Sequence, residues 1–190
     1  MATGCRASTL LSVAVTAAAA STSTAHRAVG QDFPSGYLLK GVTSAKPMVL
    51  LGGEVDEALA ADTSRSWRTR LQGVLVHSLK VRKIPLEAEG GISFPTAGTL
   101  VCELSLMKGV EVRSSHDRRL QIHYSSNAYF IDRVQVVGRA GLKPDVAIVW
   151  KADSWLGRVD IRSLYDRLRD SVERCADEFA STYWLRNAPS

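Results

Sequence analysis

The sequence has no apolar run of the roughly 18 residues that a membrane-spanning helix needs. It has no block of roughly five or more like charges, the mark of a polyelectrolyte tail. Cysteine is scarce, three in 190 residues, too few for a disulfide scaffold, and no Cys or His pair has zinc spacing. G-x-G-x-x-G and G-x-S-x-G are both missing, which removes dinucleotide binding and the hydrolase nucleophile elbow. Internal repeats are absent. What remains is ordinary globular composition, 45% hydrophobic and 23% charged, against wholesale disorder, collagen or coiled-coil arrays.

One absence is local. Residues 1–31 contain no Asp or Glu. Arg6 supplies a short basic front, Leu10, Leu11, Val13 and Val15 lead into Ala17–Ala20, and Ser23-Thr24-Ala25 has the small-x-small form of a signal-peptidase site. The order reads as a signal peptide over 1–25, with a periplasmic or secreted mature protein. An organelle transit peptide is the alternative, but this segment has only Arg6 and Arg27, and its apolar part is continuous. Removal of Arg6 would lower Lys plus Arg from 24 to 23 and the net charge from +5 to +4, which demands no polyanionic partner.

Residues 26–70 carry Pro34, Gly36, Gly41 and Pro47 and weak periodicity. They read as an N-terminal arm with a short helix over 54–61, where Val55 and Leu59 are four apart. The domain proper is 71–190. Leu71, Leu75, Leu79 and Val81 share one parity and predict a strand. Ala97, Leu100, Leu104 and Met107 fall in one helical stripe, and Lys108-Gly109 provides a stop. Leu120–Tyr124, Tyr129–Val137 and Val146–Trp150 predict a three-stranded antiparallel meander, with a turn at Ser125-Ser126-Asn127.

The last element has the clearest period. Ile161, Leu164, Leu168, Val172, Cys175 and Phe179 form one stripe at roughly 100° per residue, with Asp160 as N-cap and charged residues opposite. The expected fold is α+β: an antiparallel sheet of about four strands in β-α-β-β-β-α order, with two helices on one face. An oxidising compartment permits a Cys102–Cys175 bond. The alternative is that both are small buried apolar residues, and Cys102 falls on the outer side of its predicted helix.

The chain closes on Asp177, Phe179, Tyr183 and Asn187 in the run up to Pro189. This resembles a group of small exported bacterial proteins of unassigned function. In those, a strand meander precedes a helix ending in a pattern like D-x-F-x-x-x-Y-L-x-x-N-P. Trp184 stands where Leu is common, and Ala188 separates the Asn from the Pro. The resemblance implies a bacterial envelope setting and no particular chemistry.

The residues themselves nominate no catalytic centre. Ser114-Ser115-His116-Asp117 holds triad residue types, but sequence neighbours point different ways, so a polar turn is the reading. His77 shares the parity of Leu75 and Leu79 and reads as a core or rim histidine. His116 and His123 with Asp117 have no metal-ligand spacing. The carboxylate pairs Asp166/Asp170 and Glu173/Asp177 lie on a solvated face, where nothing raises a pKa. Catalytic residues, metals and cofactors are therefore expected to be none.

Two clusters nominate binding. Trp67 with Arg65, Arg68 and Arg70, next to Lys80, Arg82 and Lys83, suits anionic headgroups or a polyanion. Trp155 and Trp184 are candidate anchors for a partner, or packing residues. The expected function is an exported non-enzymatic accessory or binding protein of the bacterial envelope. Its expected partner is another envelope protein, with no nucleic acid, no transmembrane segment, and room for peripheral membrane contact. The alternatives are a small secreted hydrolase with a dispersed site from His77, His116, His123 and Asp117, and a module for polyanions or lipid headgroups.

Overall fold

The structure, a computed structural model, describes residues 39–54, 59–87, 95–113, 118–134 and 145–188. The leader 1–25, His26, the middle of the expected short helix (55–58) and Ser114–Asp117 lie outside them. The elements are β1 (Lys46–Gly53), α1 (Ala61–Val81), β2 (Thr99–Arg113), β3 (Arg118–Val134), β4 (Asp145–Lys151), β5 (Trp155–Asp160) and, after a 3-10 turn at Ile161–Ser163, α2 (Leu164–Asn187). No described helix is long and apolar enough to cross a membrane.

The α+β class holds, with a five-stranded mixed sheet where an antiparallel one was expected. β1 pairs parallel to β2, so β1-α1-β2 is a crossover unit, and β2-β3-β4 is the antiparallel meander. β5 continues the edge begun by β4: Lys151 lies opposite Tyr129, and Trp155 lies opposite Ser126 of the same strand. Residues 46–70, read as an arm, therefore supply a sheet strand and the first half of a helix.

Two segments exchange their expected types. Residues 71–81 are helix, because Leu71, Leu75 and Leu79 are four apart and all three are buried against the sheet. Four is both an even spacing and nearly one helical turn, so parity alone misleads. Residues 99–107 are strand, with Leu100, Cys102, Leu104 and Leu106 alternating into the core. Lys108-Gly109 is not a helix stop; it lies in the register shift between Met107 and Val110 that bulges β2. The expected turn at Ser125–Asn127 is uninterrupted β3, held on one side by β2 and on the other by β5.

One core forms between the sheet and the helices. Val49 and Leu51, Leu100 to Leu106, and Ile122, Ala128 and Phe130 meet Leu71, Leu75 and Leu79 of α1 and Leu164, Leu168, Val172 and Phe179 of α2. Phe179 sits 5.2 Å from Phe130 and 5.3 Å from Trp150, ring to ring, in tilted and edge-on arrangements that aromatic quadrupoles favour. Cys102 and Cys175 are bonded across this core, with Cα atoms 6.3 Å apart. Cys102 faces inward because β2 is a strand, which removes the objection raised by its place on a helix.

α1 ends where Lys83 takes a left-handed φ of 59° and the Ile84 N–H reaches back to the Leu79 carbonyl at 3.0 Å. β1 lies at an edge of the sheet, and a side chain blunts it. The Gln72 amide accepts from the Val49 N–H and donates to the Pro47 carbonyl, both at 2.8 Å, as a neighbouring strand would. At the other end of this edge, Ala45 pairs with Pro85 and Glu87 through backbone bonds of 2.9 and 3.1 Å.

Candidate binding face and the cleft beside it

Strand alternation sends every second residue away from the helices. On β3 these are Gln121, His123, Ser125, Asn127, Tyr129, Ile131 and Arg133. Their ladder partners project with them: Val110, Met107 and Val101 from β2, Val146, Ile148 and Lys151 from β4, and Leu156 and Arg158 from β5. The exposed large aliphatics of β2, β4 and β5 thus fall on one face. Leu156 is 78% exposed, Ile148 57% and Val146 49%, with Met107, Val110 and Val112 also open. Toward β1 the same face closes up, and Met48 and Val101 are buried.

Cations are interleaved with these aliphatics. Arg133 lies opposite Val146, Lys151 follows Ile148, and Arg158 follows Leu156; all three are exposed. Two described acids share the face. Asp160 is held at about 2 because Arg162 donates to its carboxylate from the side chain and the backbone, at 3.0 and 2.9 Å. Glu103 stands on β2 opposite Asn127. Burial, with Glu103 adding repulsion, pushes the Tyr129 phenol above its ordinary value.

On the helix side, where the β4–β5 edge breaks at Ala152–Ser154, a small cleft with room for about one water is lined by Ser126, Asp153, Trp155, Ser171, Arg174 and Glu178. Small-molecule sites typically enclose roughly 300–1,000 Å³, so this one is undersized for a substrate. Trp155, 45% exposed, lies under the Arg174 guanidinium at 4.0 Å and borders Glu178. Burial raises the Glu178 carboxyl, although Trp155 and Arg174 draw it down. Gly157 leaves room for the Tyr124 ring, which a Cβ there would approach to 2.5 Å.

The five nominated residues do not gather. Trp67 packs edge-on to Tyr165 at 5.2 Å and Arg70 lies over the same ring at 4.3 Å, so both serve the α1–α2 seam, while Arg68 stays exposed on α1. Trp184 donates from its indole to the Arg82 carbonyl at 2.9 Å and covers the end of α1. Trp155 borders the cleft. His77 is exposed on α1 and not in the core, and His123 faces away from the helices on β3, so the two histidines do not converge. Among the described residues no group of His, Cys, Asp or Glu is arranged to hold a metal. The candidate face was not visible in the sequence because Met107 lies in a segment read as helix, Leu156 in one read as a link, and only strand register sets them beside Val146 and Ile148.

The residues carrying the C-terminal pattern all work for the fold. Asp177 pairs with Arg82 across the helices. Phe179 and Tyr183 are buried in the core. Asn187 accepts from the Gly41 N–H and donates to the Leu39 carbonyl, both at 2.9 Å, which ties the segment before β1 to the end of α2. No protein-family model matches this chain, and no curated protein matches it.

Proposed function

We propose that this chain is an exported, disulfide-clamped, non-enzymatic accessory protein of the bacterial envelope that binds its partner through the sheet face opposite the helices. The observation that carries the reading is the concentration of exposed Val146, Ile148, Leu156, Met107, Val110 and Val112 on that one face. Large contiguous apolar surface on a folded protein marks an interaction site. The bond between Cys102 and Cys175 supports export, because such bonds persist in oxidising compartments and are rare in the cytosol. The acid-free leader supports it independently.

The hydrolase alternative has less support, since His77 and His123 stand apart, while its other two candidates, His116 and Asp117, lie outside the described residues. A polyanion site on Trp67 loses ground too, because Trp67 and Arg70 are engaged by Tyr165.

Fractionation with mass spectrometry under non-reducing conditions tests the reading. The expected result is an envelope or extracellular species with a new N-terminus near His26 and a Cys102–Cys175 crosslink. Intact chain with free thiols in the cytosol overturns it.

A further inference from the structure

We propose that the face opposite the helices docks on an anionic lipid surface, with Val146, Ile148 and Leu156 entering the interface and Arg133, Lys151 and Arg158 meeting the headgroup phosphates. This rests on the reading of the face as the binding surface, and names what the face binds.

The shape of the patch is the first reason. Its residues follow one edge of the sheet, from Val146 beside Arg133 to Arg158 beside His123. At roughly 3.4 Å per residue along β3 this band is about 34 Å long. A band of this length suits an extended surface better than a compact ligand.

The chemistry is the second reason. Aliphatic and cationic side chains alternate along the band, and none of Arg133, Lys151 and Arg158 has an acidic partner among the described residues. Aliphatics partition into the acyl boundary, while Lys and Arg stay at the anionic headgroups. Tyr129, half-buried beside Lys151, adds a ring of the kind enriched at membrane interfaces. A second copy of the chain fits less well, because like-charged bands would face each other. The acids that could relieve this are poorly placed: Asp160 is already bound by Arg162, and Glu103 lies away from the band on β2.

Vesicle flotation of the folded protein tests this. With vesicles of phosphatidylcholine and phosphatidylglycerol in equal parts the protein should float, and with phosphatidylcholine alone it should stay down. Raising the salt should release part of it. Each of Arg133→Ser, Lys151→Ser and Arg158→Ser should weaken binding about fivefold. Ile148→Ser or Leu156→Ser should each weaken it about tenfold. Arg65→Ser with Arg68→Ser on α1 should leave it unchanged, and every variant should unfold at the wild-type temperature. Equal binding to both vesicle types, no flotation, or loss only with the α1 variant would overturn the proposal. So would heparin retention insensitive to Ile148→Ser and Leu156→Ser, which marks a polyanion site, or concentration-dependent dimers that the same variants dissolve. None of these failures would alter the crosslink and N-terminus that test export, so the two readings fail separately.

Discussion

The two faces of the sheet are built from the same strands, one residue out of step, and they are finished in different ways. On the helix side, Leu100, Cys102, Leu104 and Leu106 meet two helices and a disulfide, and all four are buried. On the other side, Ile148, Leu156 and Val146 stay exposed among cations. Burial of the first set is where apolar transfer stabilises the fold, at about 25 cal/mol per Å². The second set forgoes that contribution. Side chains that contribute so little to stability and still form one coherent band are better explained by binding than by folding.

The strongest contrast comes from a charge placed on each face. Leu168→Asp puts a carboxylate into a fully buried site and should abolish folding, at a cost of several kcal/mol. Ile148→Asp should move stability by no more than about 0.5 kcal/mol. Parallel thermal unfolding of the two variants checks this, and equal losses would erase the distinction between the faces.

Removing the clamp comes next. The cysteines are 73 residues apart, a separation for which the chain-entropy relation gives about 4 kcal/mol. The double change of Cys102 and Cys175 to Ala should lower stability by that order in denaturant titrations. A reductant should destabilise the wild type alone.

Gly157→Ala sharpens the comparison within one strand. It forces a methyl toward the Tyr124 ring on the helix side and should cost about 1–3 kcal/mol, measured by the denaturation midpoint. At the β1 edge, Gln72→Ala should cost about 1 kcal/mol. It should also raise self-association in sedimentation, because the Pro47 carbonyl and Val49 N–H become free to pair with another chain.

The smallest effect is a pH dependence carried by the cleft. Burial raises the Glu178 carboxyl above its usual 4.5, so the folded state favours the protonated form. Its contribution is complete below the unfolded value and is lost as pH rises through the folded one. Asp160 runs the other way: Arg162 lowers it to about 2, and its contribution is lost as pH falls from 3.8 toward that value. Stability of Glu178→Gln across pH 4 to 7 should lack the decline seen in the wild type. An identical slope would remove Glu178 as its source.

The sequence was legible where one periodicity excluded the other. The α2 stripe from Leu164 to Phe179 repeats at three and four, a pattern no strand presents, and the structure buries Leu164, Leu168, Val172, Cys175 and Phe179 as expected. The antiparallel pairing of β3 with β4 was also readable. The expected β-α-β-β-β-α order is not the order found: the described string is β-α-β-β-β-β-α, its first three elements come from other segments, and the strands expected at 120–124 and 129–137 meet in β3. Of the candidate site, Trp155 was named, but its setting beneath Arg174 was not visible.

Composition, the acid-free leader and the period of the last helix are local properties, and they already dictated an α+β body closed by an amphipathic helix. The fate of Leu71–Leu75–Leu79 and of the run at 99–107 was settled by packing, since four-residue spacing satisfies both a helix and a strand until a partner surface is chosen. Packing also brought Cys102 to Cys175 and aligned Val146, Ile148 and Leu156 on one face. Those relations join residues distant in the chain, and register between strands, not spacing along them, decides which side chains become neighbours.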